Sequence, residues 1–293
     1  MSRISKNLFI SDFHTLYKKN GLTSEVIISF RNMIYEYYRK HKREFPFREN
    51  ITPYNVLVSE IMLQQTQTER VTEKFLKFID KYPDFLSLSQ TPLDTILKEW
   101  RGLGYNRRAV ALKKIAEIVI RDYKGELPDS IETLESFPQI GHNTASSIIT
   151  FAFNKPTAFI ETNIRRVFIY FFFPKKDNVY DKEIFPIIDL TIDKNNPREW
   201  YYALMDYGAM LKKSHPELNK KSAHYRKQAP FKGSSRQIRG ILLKMLIDNK
   251  AIDIIEIQKR IKIHDSESLK KILSQLQKEG FITIKENMVK LAK

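Results

Sequence analysis

A single carboxylate interrupts the apolar run VLVSEIML at residues 56–63, whose spacing predicts a helix. Apolar neighbours desolvate a carboxyl and raise its pKa, so we expect Glu60 to hold a proton and to act as a general acid. A partly exposed glutamate on an ordinary helix is the alternative interpretation.

Residues 136–150, SFPQIGHNTASSIIT, predict two helices joined by a tight turn at Gly141, with Asn143 and Thr144 starting the second helix. Backbone N–H groups at the start of a helix can bind a DNA phosphate without recognising the base sequence. The contact can be direct or through a monovalent cation, Mg²⁺ or Ca²⁺. Gly141, His142 and Thr144 are therefore candidate DNA-binding residues. A plain structural corner is the alternative.

The charge balance favours a polyanionic partner. Lys and Arg number 50 against 34 Asp and Glu, which gives a net charge of +16. A generally lysine-rich proteome would produce the same balance, so the charge supports nucleic-acid binding only together with motifs.

Residues 212–235 are basic and polar and lack an apolar face, which predicts a linker or a DNA-contacting loop. Its candidate phosphate-binding residues are Lys212, Lys213, Lys220 and Lys221.

The chain has no cysteine, which excludes disulfides, thiolate metal sites and a catalytic thiol. We predict no metal centre formed by side chains.

The longest apolar run, residues 167–173, is too short to span a bilayer, and the N-terminal residues lack the apolar core of a signal peptide. We therefore expect a soluble cytoplasmic protein, associated with the nucleoid if prokaryotic, that is monomeric and has no membrane partner.

Helical periodicity dominates residues 1–211 and predicts an all-α bundle of about ten helices. After a basic linker at residues 212–233, residues 234–293 predict three short helices followed by a β-hairpin, which is a winged-helix pattern. A packing or dimerisation module is the alternative for this C-terminal domain. The stretch 54–78 predicts one or two helices. The other predicted helices of the bundle span residues 24–38, 92–100, 107–121, 130–137, 143–153, 163–173, 182–192 and 197–212.

Five collinear segments resemble the helix-hairpin-helix (HhH-GPD) DNA glycosylase superfamily, and MLQQTQ at residues 62–67 brings the chain closest to the adenine DNA glycosylase branch. The resemblance implies a helical bundle that hydrolyses the N-glycosidic bond of a base flipped out of double-stranded DNA. The segments are PYNVLVSEIMLQQTQ at 53–67, GLGY with RRA at 102–109, the hairpin with Gly141, ETNIRRV at 161–167 and MDYGAM at 205–210.

By this resemblance Glu60 protonates the departing adenine, and Glu161 stands where the family has an aspartate that stabilises the sugar cation and orients a water. The extra methylene of Glu161 displaces its carboxylate, and a displacement of about 1 Å can cost roughly 100-fold in rate. A buried ion pair of Glu161 with Arg165 or Arg166 is the alternative.

The resemblance also assigns residues to base extrusion. Gln64, Gln65 and Gln67 face the vacated stack and the base edges, and Tyr105 is the wedge aromatic. The predicted pocket for the flipped base comprises Phe47, Arg48, Asn143, Asn163 and Asp206. Asn143 stands where bifunctional relatives carry a lysine nucleophile, which implies a monofunctional enzyme that does not cleave the strand.

The chain departs from the family in two places. Lys212, Asn219, Ser222 and Gln228 stand at the spacing of the cysteines that hold an iron–sulfur cluster, so we expect no such cluster and no other cofactor. The winged-helix-like residues 234–293 stand where the branch has a Nudix-like domain that inspects 8-oxoguanine.

The sequence therefore predicts a monofunctional glycosylase acting on DNA with a mismatch or lesion, with adenine opposite 8-oxoguanine or guanine as the expected target. Two alternatives stay open: a glycosylase for another base, such as thymine, uracil or a damaged purine, and a non-catalytic DNA-binding protein. The acidic residues at positions 60 and 161 argue against the second alternative.

Overall fold

The computed structural model describes residues 3–227, 230–231, 234–249, 251–261 and 266–292. These residues form a mostly helical protein with one small sheet, which confirms the predicted fold class. In chain order the helices are α1 Arg3–Asn20, α2 Ser24–His41, α3 Pro53–Leu63, α4 Thr68–Lys81, α5 Phe85–Gln90, α6 Leu93–Glu99, α7 Arg107–Tyr123, α8 Ile131–Glu135, α9 His142–Phe153, α10 Thr162–Phe172, α11 Asp181–Thr191, α12 Pro197–Ser214, α13 Ser235–Asp248, α14 Ile254–Ile261 and α15 Ser266–Lys278.

The chain divides into two compact units, each built from separate stretches of sequence. The first unit comprises Met1–Phe45, Asp129–Glu132 and Gly141–Lys227, and the second comprises Pro46–Pro128, Thr133–Ile140 and Gln228–Lys293. Composition alone placed boundaries after residues 211 and 233 instead, a division that stays a prediction.

The first unit is organised around α10, which packs against α12 and α1, while α12 also packs against α2. Aromatic residues recur at helical spacing on these elements, and their rings meet edge to face. Phe30 lies 5.6 Å from Trp200 and 4.9 Å from Phe171 between ring centroids. All three side chains are fully buried, so this aromatic core packs the end of α10 and the first turn of α12 against α2.

The second unit packs α7 against α5, α6 and α3, and α3 against α4. Its core includes Phe75, Phe78, Trp100 and Leu112, all of which are buried. Thr52 caps α3 by accepting a hydrogen bond from the backbone N–H of Asn55. Pro53 opens that helix, a position where the missing N–H costs nothing.

The C-terminal part of the second unit runs α13, β1 (Ile252–Asp253), α14, α15, β2 (Ile282–Lys285) and β3 (Met288–Leu291). The strands form an antiparallel sheet in the order β1-β3-β2, with Ile284 opposite Val289 and Ile252 also paired with Val289. The left-handed pair Glu286 and Asn287 turns the hairpin. This order of elements is the predicted winged-helix pattern.

Three details differ from the sequence-based expectations. Helices α1 and α5 were not predicted, and the strand β1 is too short to produce an alternating pattern. The stretch 54–78, predicted as one or two helices, forms two, α3 and α4. None of the helices in the described residues is both long and apolar enough to cross a membrane.

Candidate functional site

Glu60 lies in the last turn of α3, where it is half-buried. The neighbouring residues Ser59 and Ile61 are buried, as is Leu57 one turn earlier. The carboxyl therefore stands on a helix that is otherwise enclosed, as the apolar run predicted. Its proton-donor role stays a prediction.

The carbonyl groups that follow Glu60 are bound by Arg108, a residue for which the sequence analysis proposed no role. Arg108 is only 2% exposed, and its Nη1 donates to the carbonyl oxygens of Ile61, Met62 and Gln64 at 3.0, 2.7 and 2.6 Å. The carbonyl end of a helix carries partial negative charge, so it suits a buried cation. Burial lowers the pKa of Arg108 to about 10, which leaves the guanidinium charged at neutral pH.

The other terminal nitrogen of Arg108 binds a second loop. Its Nη2 donates to the Thr66 hydroxyl at 2.9 Å and to the carbonyl oxygens of Leu103 and Gly104, both at 3.0 Å. The Trp100 indole N–H donates to the same Gly104 carbonyl at 3.1 Å. One buried guanidinium therefore joins the loop at 64–67 to the loop at 102–106.

These two loops present the predicted DNA-contacting side chains. Gln65 and Gln67 are exposed, whereas Gln64 and Tyr105 are half-buried. Gln65 and Tyr105 adopt left-handed backbone conformations, with φ of 55° and 45°. That conformation is uncommon for residues other than glycine and persists where the surroundings hold it. The guanidinium of Arg108 lies 5.5 Å from the centre of the Tyr105 ring.

The hairpin turn also meets this loop system, because the Gln64 side-chain amide donates to the carbonyl of Gln139 at 3.2 Å. Gln139 is left-handed, with φ of 63°. The turn before Gly141 thus belongs to the same hydrogen-bonded group of loops as the segment that follows Glu60.

The second helix of the hairpin begins one residue earlier than predicted. α9 starts at His142 with Gly141 as its N-cap, so Asn143 and Thr144 lie inside the first turn rather than before it. Of the predicted phosphate-contacting residues, Gly141 and His142 are exposed and Thr144 is half-buried. Asn143, which was predicted to line the base pocket, is exposed, and its side chain accepts the backbone N–H of Ile160 at 3.1 Å. This contact ties the start of α9 to the segment leading into Glu161.

Glu161 is the N-cap of α10. Its Oε1 accepts the backbone N–H groups of Asn163 at 2.9 Å and Ile164 at 3.0 Å, and its Oε2 accepts the Asn163 side-chain amide at 3.3 Å. The carboxylate is half-buried at the positive end of the helix dipole, which favours an anion.

The alternative of an ion pair between Glu161 and a nearby arginine is wrong for Arg165. That residue forms a bidentate pair with Asp181 at 2.7 and 2.8 Å. Arg166 donates to the Asn163 side-chain oxygen at 2.9 Å and to the Gly208 carbonyl at 2.6 Å. Burial lowers the pKa of Arg166, and the charge of Glu161 opposes that shift only in part.

Gly208 allows α12 to approach the start of α10. A Cβ at this position would lie 2.3 Å from the carbonyl oxygen of Asn163, a distance that no side chain tolerates. At Gly208, α12 therefore lies directly against the backbone of Asn163, the residue that contacts both Glu161 and Arg166. The sequence signal for this approach was the glycine inside the segment MDYGAM.

The remaining predicted pocket residues lie in different units. Asp206 in the first unit has a fully buried side chain, and its oxygens accept the backbone N–H of Arg43 at 2.9 Å and the Arg43 Nε at 2.8 Å. Phe47 in the second unit is buried against Phe75, and Arg48 is half-buried. The pocket itself stays a prediction.

Of the four lysines of the basic segment that were predicted to bind phosphate, three are exposed and one makes a hydrogen bond within the protein. Lys212, Lys213 and Lys220 are exposed, whereas Lys221 is half-buried and donates to the Pro174 carbonyl at 2.6 Å. One donor of the Lys221 ammonium group therefore serves the packing of the segment, and its role as a phosphate-binding residue stays a prediction.

The same segment does not fit an iron–sulfur cluster. The chain supplies no thiolate, and among the described positions with cluster spacing Ser222 pairs its backbone with Val179 in a parallel bridge. The Val179 N–H donates to the Lys221 carbonyl at 2.8 Å, and the Ala223 N–H donates to the Val179 carbonyl at 3.0 Å. Backbone pairing holds this segment in place. Gln228 lies outside the described residues.

Known proteins are similar in sequence to this chain over about two thirds of its length. Residues 58–185, which include Glu60 and Glu161, match the family described as HhH-GPD superfamily base excision DNA repair protein. The adenine DNA glycosylase of Buchnera aphidicola subsp. Baizongia pistaciae is 34% identical over 66% of this chain, and the chain spans only 56% of that relative.

Two further matches concern enzymes named for pyrimidines. The thymine/uracil-DNA glycosylase of Methanothermobacter thermautotrophicus is 30% identical over 62% of this chain and 84% of its own length. The solved structure of a thermostable thymine-DNA glycosylase aligns with a TM-score of 0.57 at 26% identity, over 68% of this chain and 96% of that one. This chain therefore belongs to the HhH-GPD superfamily of base excision DNA repair proteins.

Proposed function

We propose that this protein is a monofunctional DNA glycosylase that removes adenine mispaired with 8-oxoguanine or guanine in double-stranded DNA. The observation that carries the proposal is the family match over residues 58–185, which contains both carboxylates that the reaction needs. The similarity to an adenine DNA glycosylase supports adenine as the base.

Glu60 is proposed as the general acid. A base leaves a deoxyribose more readily when it is protonated, because the departing group is then neutral rather than anionic. Glu60 is half-buried in the last turn of α3, and Leu57 and Ile61 on either side of it are buried.

Glu161 is proposed to stabilise the positive charge that develops on the sugar and to orient the attacking water. Its Oε1 is bound by two backbone N–H groups, so the orientation of the carboxylate is set by the start of α10. Asn163 holds the other oxygen.

The reaction is proposed to stop at the abasic site. A covalent Schiff base needs an amine, and Asn143 carries an amide in the first turn of α9. The enzyme therefore releases the base by hydrolysis and leaves the strand intact, without a cofactor.

A second candidate substrate is thymine or uracil mispaired with guanine. The specific support is the relative named thymine/uracil-DNA glycosylase, of which this chain covers 84%. Both candidates use the same two carboxylates and differ in the base that the pocket accepts.

The test is release of free base from a panel of duplexes carrying A:8-oxoG, A:G, T:G and U:G pairs, measured by chromatography. We expect adenine release from the first two duplexes, and preferential release of thymine or uracil would favour the second candidate. Absence of base release from every duplex that the protein binds would overturn the enzyme assignment.

The matched variants are Glu60→Gln and Glu73→Gln, the second an exposed glutamate on α4. Glu60→Gln is expected to abolish base release and to keep duplex affinity, because an amide fills the same space without supplying an acidic proton. Glu73→Gln is expected to behave as the wild-type protein. Excision by Glu60→Gln at the wild-type rate would contradict the general-acid role.

A further inference from the structure

The C-terminal module, residues 234–292 in the described parts of the chain, is joined to the rest of the second unit. Its first helix α13 packs against α6. Arg101, in the loop that follows α6, pairs with Asp248 at the end of α13 at 2.5 Å. The module therefore lies beside the loop at 102–106, which carries Tyr105.

A direct contact joins the module to Tyr105. The Nη1 of Arg236 donates a hydrogen bond to the Tyr105 hydroxyl at 3.2 Å. Arg236 is half-buried and lies in the first turn of α13, after the N-cap Ser234, whose side chain accepts the N–H of Gln237. A cation at the positive end of a helix is electrostatically unfavourable, so helix formation does not explain an arginine at this position.

Tyr105 is thus held at its ring and at its hydroxyl, and its backbone conformation is an uncommon one. Its ring lies near the guanidinium of Arg108, its hydroxyl accepts from Arg236, and its backbone is left-handed with φ of 45°. An uncommon backbone conformation persists only where neighbouring groups specify it. Arg108 belongs to the core of the second unit, whereas Arg236 belongs to the C-terminal module.

We propose that Arg236 is a positioning residue for base extrusion, and that the C-terminal module acts in the reaction by holding Tyr105 through its hydroxyl. Arg236 contacts no reacting atom and works only through the tyrosine. The inference rests on the proposed function and on the role that the family resemblance implies for Tyr105, the aromatic that enters the base stack as the target base leaves it.

The test is a double-mutant cycle in the full chain with Arg236→Ala, Tyr105→Phe and the combined variant. Phenylalanine keeps the ring and removes only the hydroxyl that Arg236 binds. Two readouts are used: the single-turnover rate of base release at saturating DNA, and the fluorescence of 2-aminopurine at the target position, which reports unstacking without chemistry. The thermal midpoint of each variant shows whether it is folded.

Each single change is expected to lower both readouts by roughly three- to ten-fold, the loss typical of one hydrogen bond. The double variant is expected to be no worse than the poorer single variant, because both changes break the same hydrogen bond. Arg236→Lys keeps a donor and is expected to recover part of the loss. The matched control Lys244→Ala removes an exposed cation from the same helix and is expected to change neither readout.

Multiplicative effects in the double variant would overturn the proposal, since Arg236 would then act independently of the hydroxyl, for example on a phosphate. Losses in Lys244→Ala equal to those in Arg236→Ala would also overturn it. If the wild-type protein releases no base from any duplex, the proposed function fails. The fluorescence cycle still decides whether Arg236 acts through Tyr105.

Discussion

The two carboxylates assigned to catalysis are held in opposite ways. The segment after Glu60 is positioned by Arg108, a residue more than forty positions away whose single buried side chain binds five carbonyl groups and one hydroxyl. Glu161 is positioned locally by backbone N–H groups in the first turn of α10. Helix α12 approaches that turn closely because Gly208 has no side chain. The arrangement around Glu60 depends on the side chain of Arg108, whereas the arrangement around Glu161 depends on the absence of a side chain at Gly208.

The largest expected effect follows from removing the residue that joins the loops. Arg108→Ala leaves carbonyl groups of two loops without their donor, and breaking such a buried network costs about 3–5 kcal/mol of unfolding free energy. Thermal unfolding is expected to show a midpoint lower by roughly 10 °C. Base release is expected to fall with it, because the segment after Glu60 loses its anchor.

The matched control is Arg107→Ala at the adjacent, exposed position, which is expected to change stability by less than about 0.5 kcal/mol. If Arg108→Ala unfolded at the wild-type temperature, the guanidinium would not be what holds the two loops.

A smaller effect is expected where a side chain is added. In Gly208→Ala the new Cβ would lie 2.3 Å from the Asn163 carbonyl oxygen, so α12 must move away from the start of α10. Overpacking of this kind costs about 1–3 kcal/mol, and base release is expected to fall more than duplex affinity. The measurements are chemical denaturation, single-turnover kinetics and equilibrium binding.

Gly240→Ala serves as the control for glycine replacement in a helix, because a Cβ there meets nothing within 4 Å. It is expected to leave stability unchanged or to raise it by about 0.5–1 kcal/mol. Equal destabilisation by both alanines would mean that the close approach at Gly208 is not the cause.

The third prediction separates capping from chemistry at Glu161. In Glu161→Asp the shorter carboxylate still caps α10, so stability is expected to stay within about 0.5 kcal/mol of wild type. Base release is expected to fall by about ten-fold or more, because the second oxygen retreats from the Asn163 amide that binds it at 3.3 Å. Single-turnover rates and denaturation curves measure both effects. A faster rate would show that the longer side chain is a handicap, and an unchanged rate would show that the contact with Asn163 does not position the carboxylate for the reaction.

The smallest effect on stability is expected in the basic segment. Neutralising Lys212, Lys213 and Lys220 to Gln is expected to leave the fold intact and to reduce the slope of log affinity against log salt by about 0.9 for each lysine that binds a phosphate. Lys221→Gln is measured separately, and because one of its donors already binds the Pro174 carbonyl it is expected to reduce the slope less than the other lysines do. The same slope for the triple variant and wild type would exclude this segment from phosphate binding.

Much of the fold could be predicted because its signals are local. Each of these signals involves residues that lie close together in the sequence. Examples are the apolar spacing in α7 and in α10 and the turn at Glu286 and Asn287. The role of Arg108 was missed, although the pattern contains a hint. Arg108 lies on the same helical face as the buried Leu112, Ile115 and Val119. A cation on an apolar face needs acceptors, and those acceptors are backbone groups of other loops, which no sequence pattern identifies.

The sequence by itself determined the helical bundle, the C-terminal winged-helix pattern and the two acidic residues around which the proposed chemistry is built. Those features follow from side-chain type and spacing along the chain. Only the tertiary structure decided that Arg165 pairs with Asp181 rather than Glu161, that Lys221 is engaged, and that Arg236 reaches Tyr105. Hydrogen bonds between residues far apart in sequence depend on distances of a few ångströms, and folding alone sets those distances.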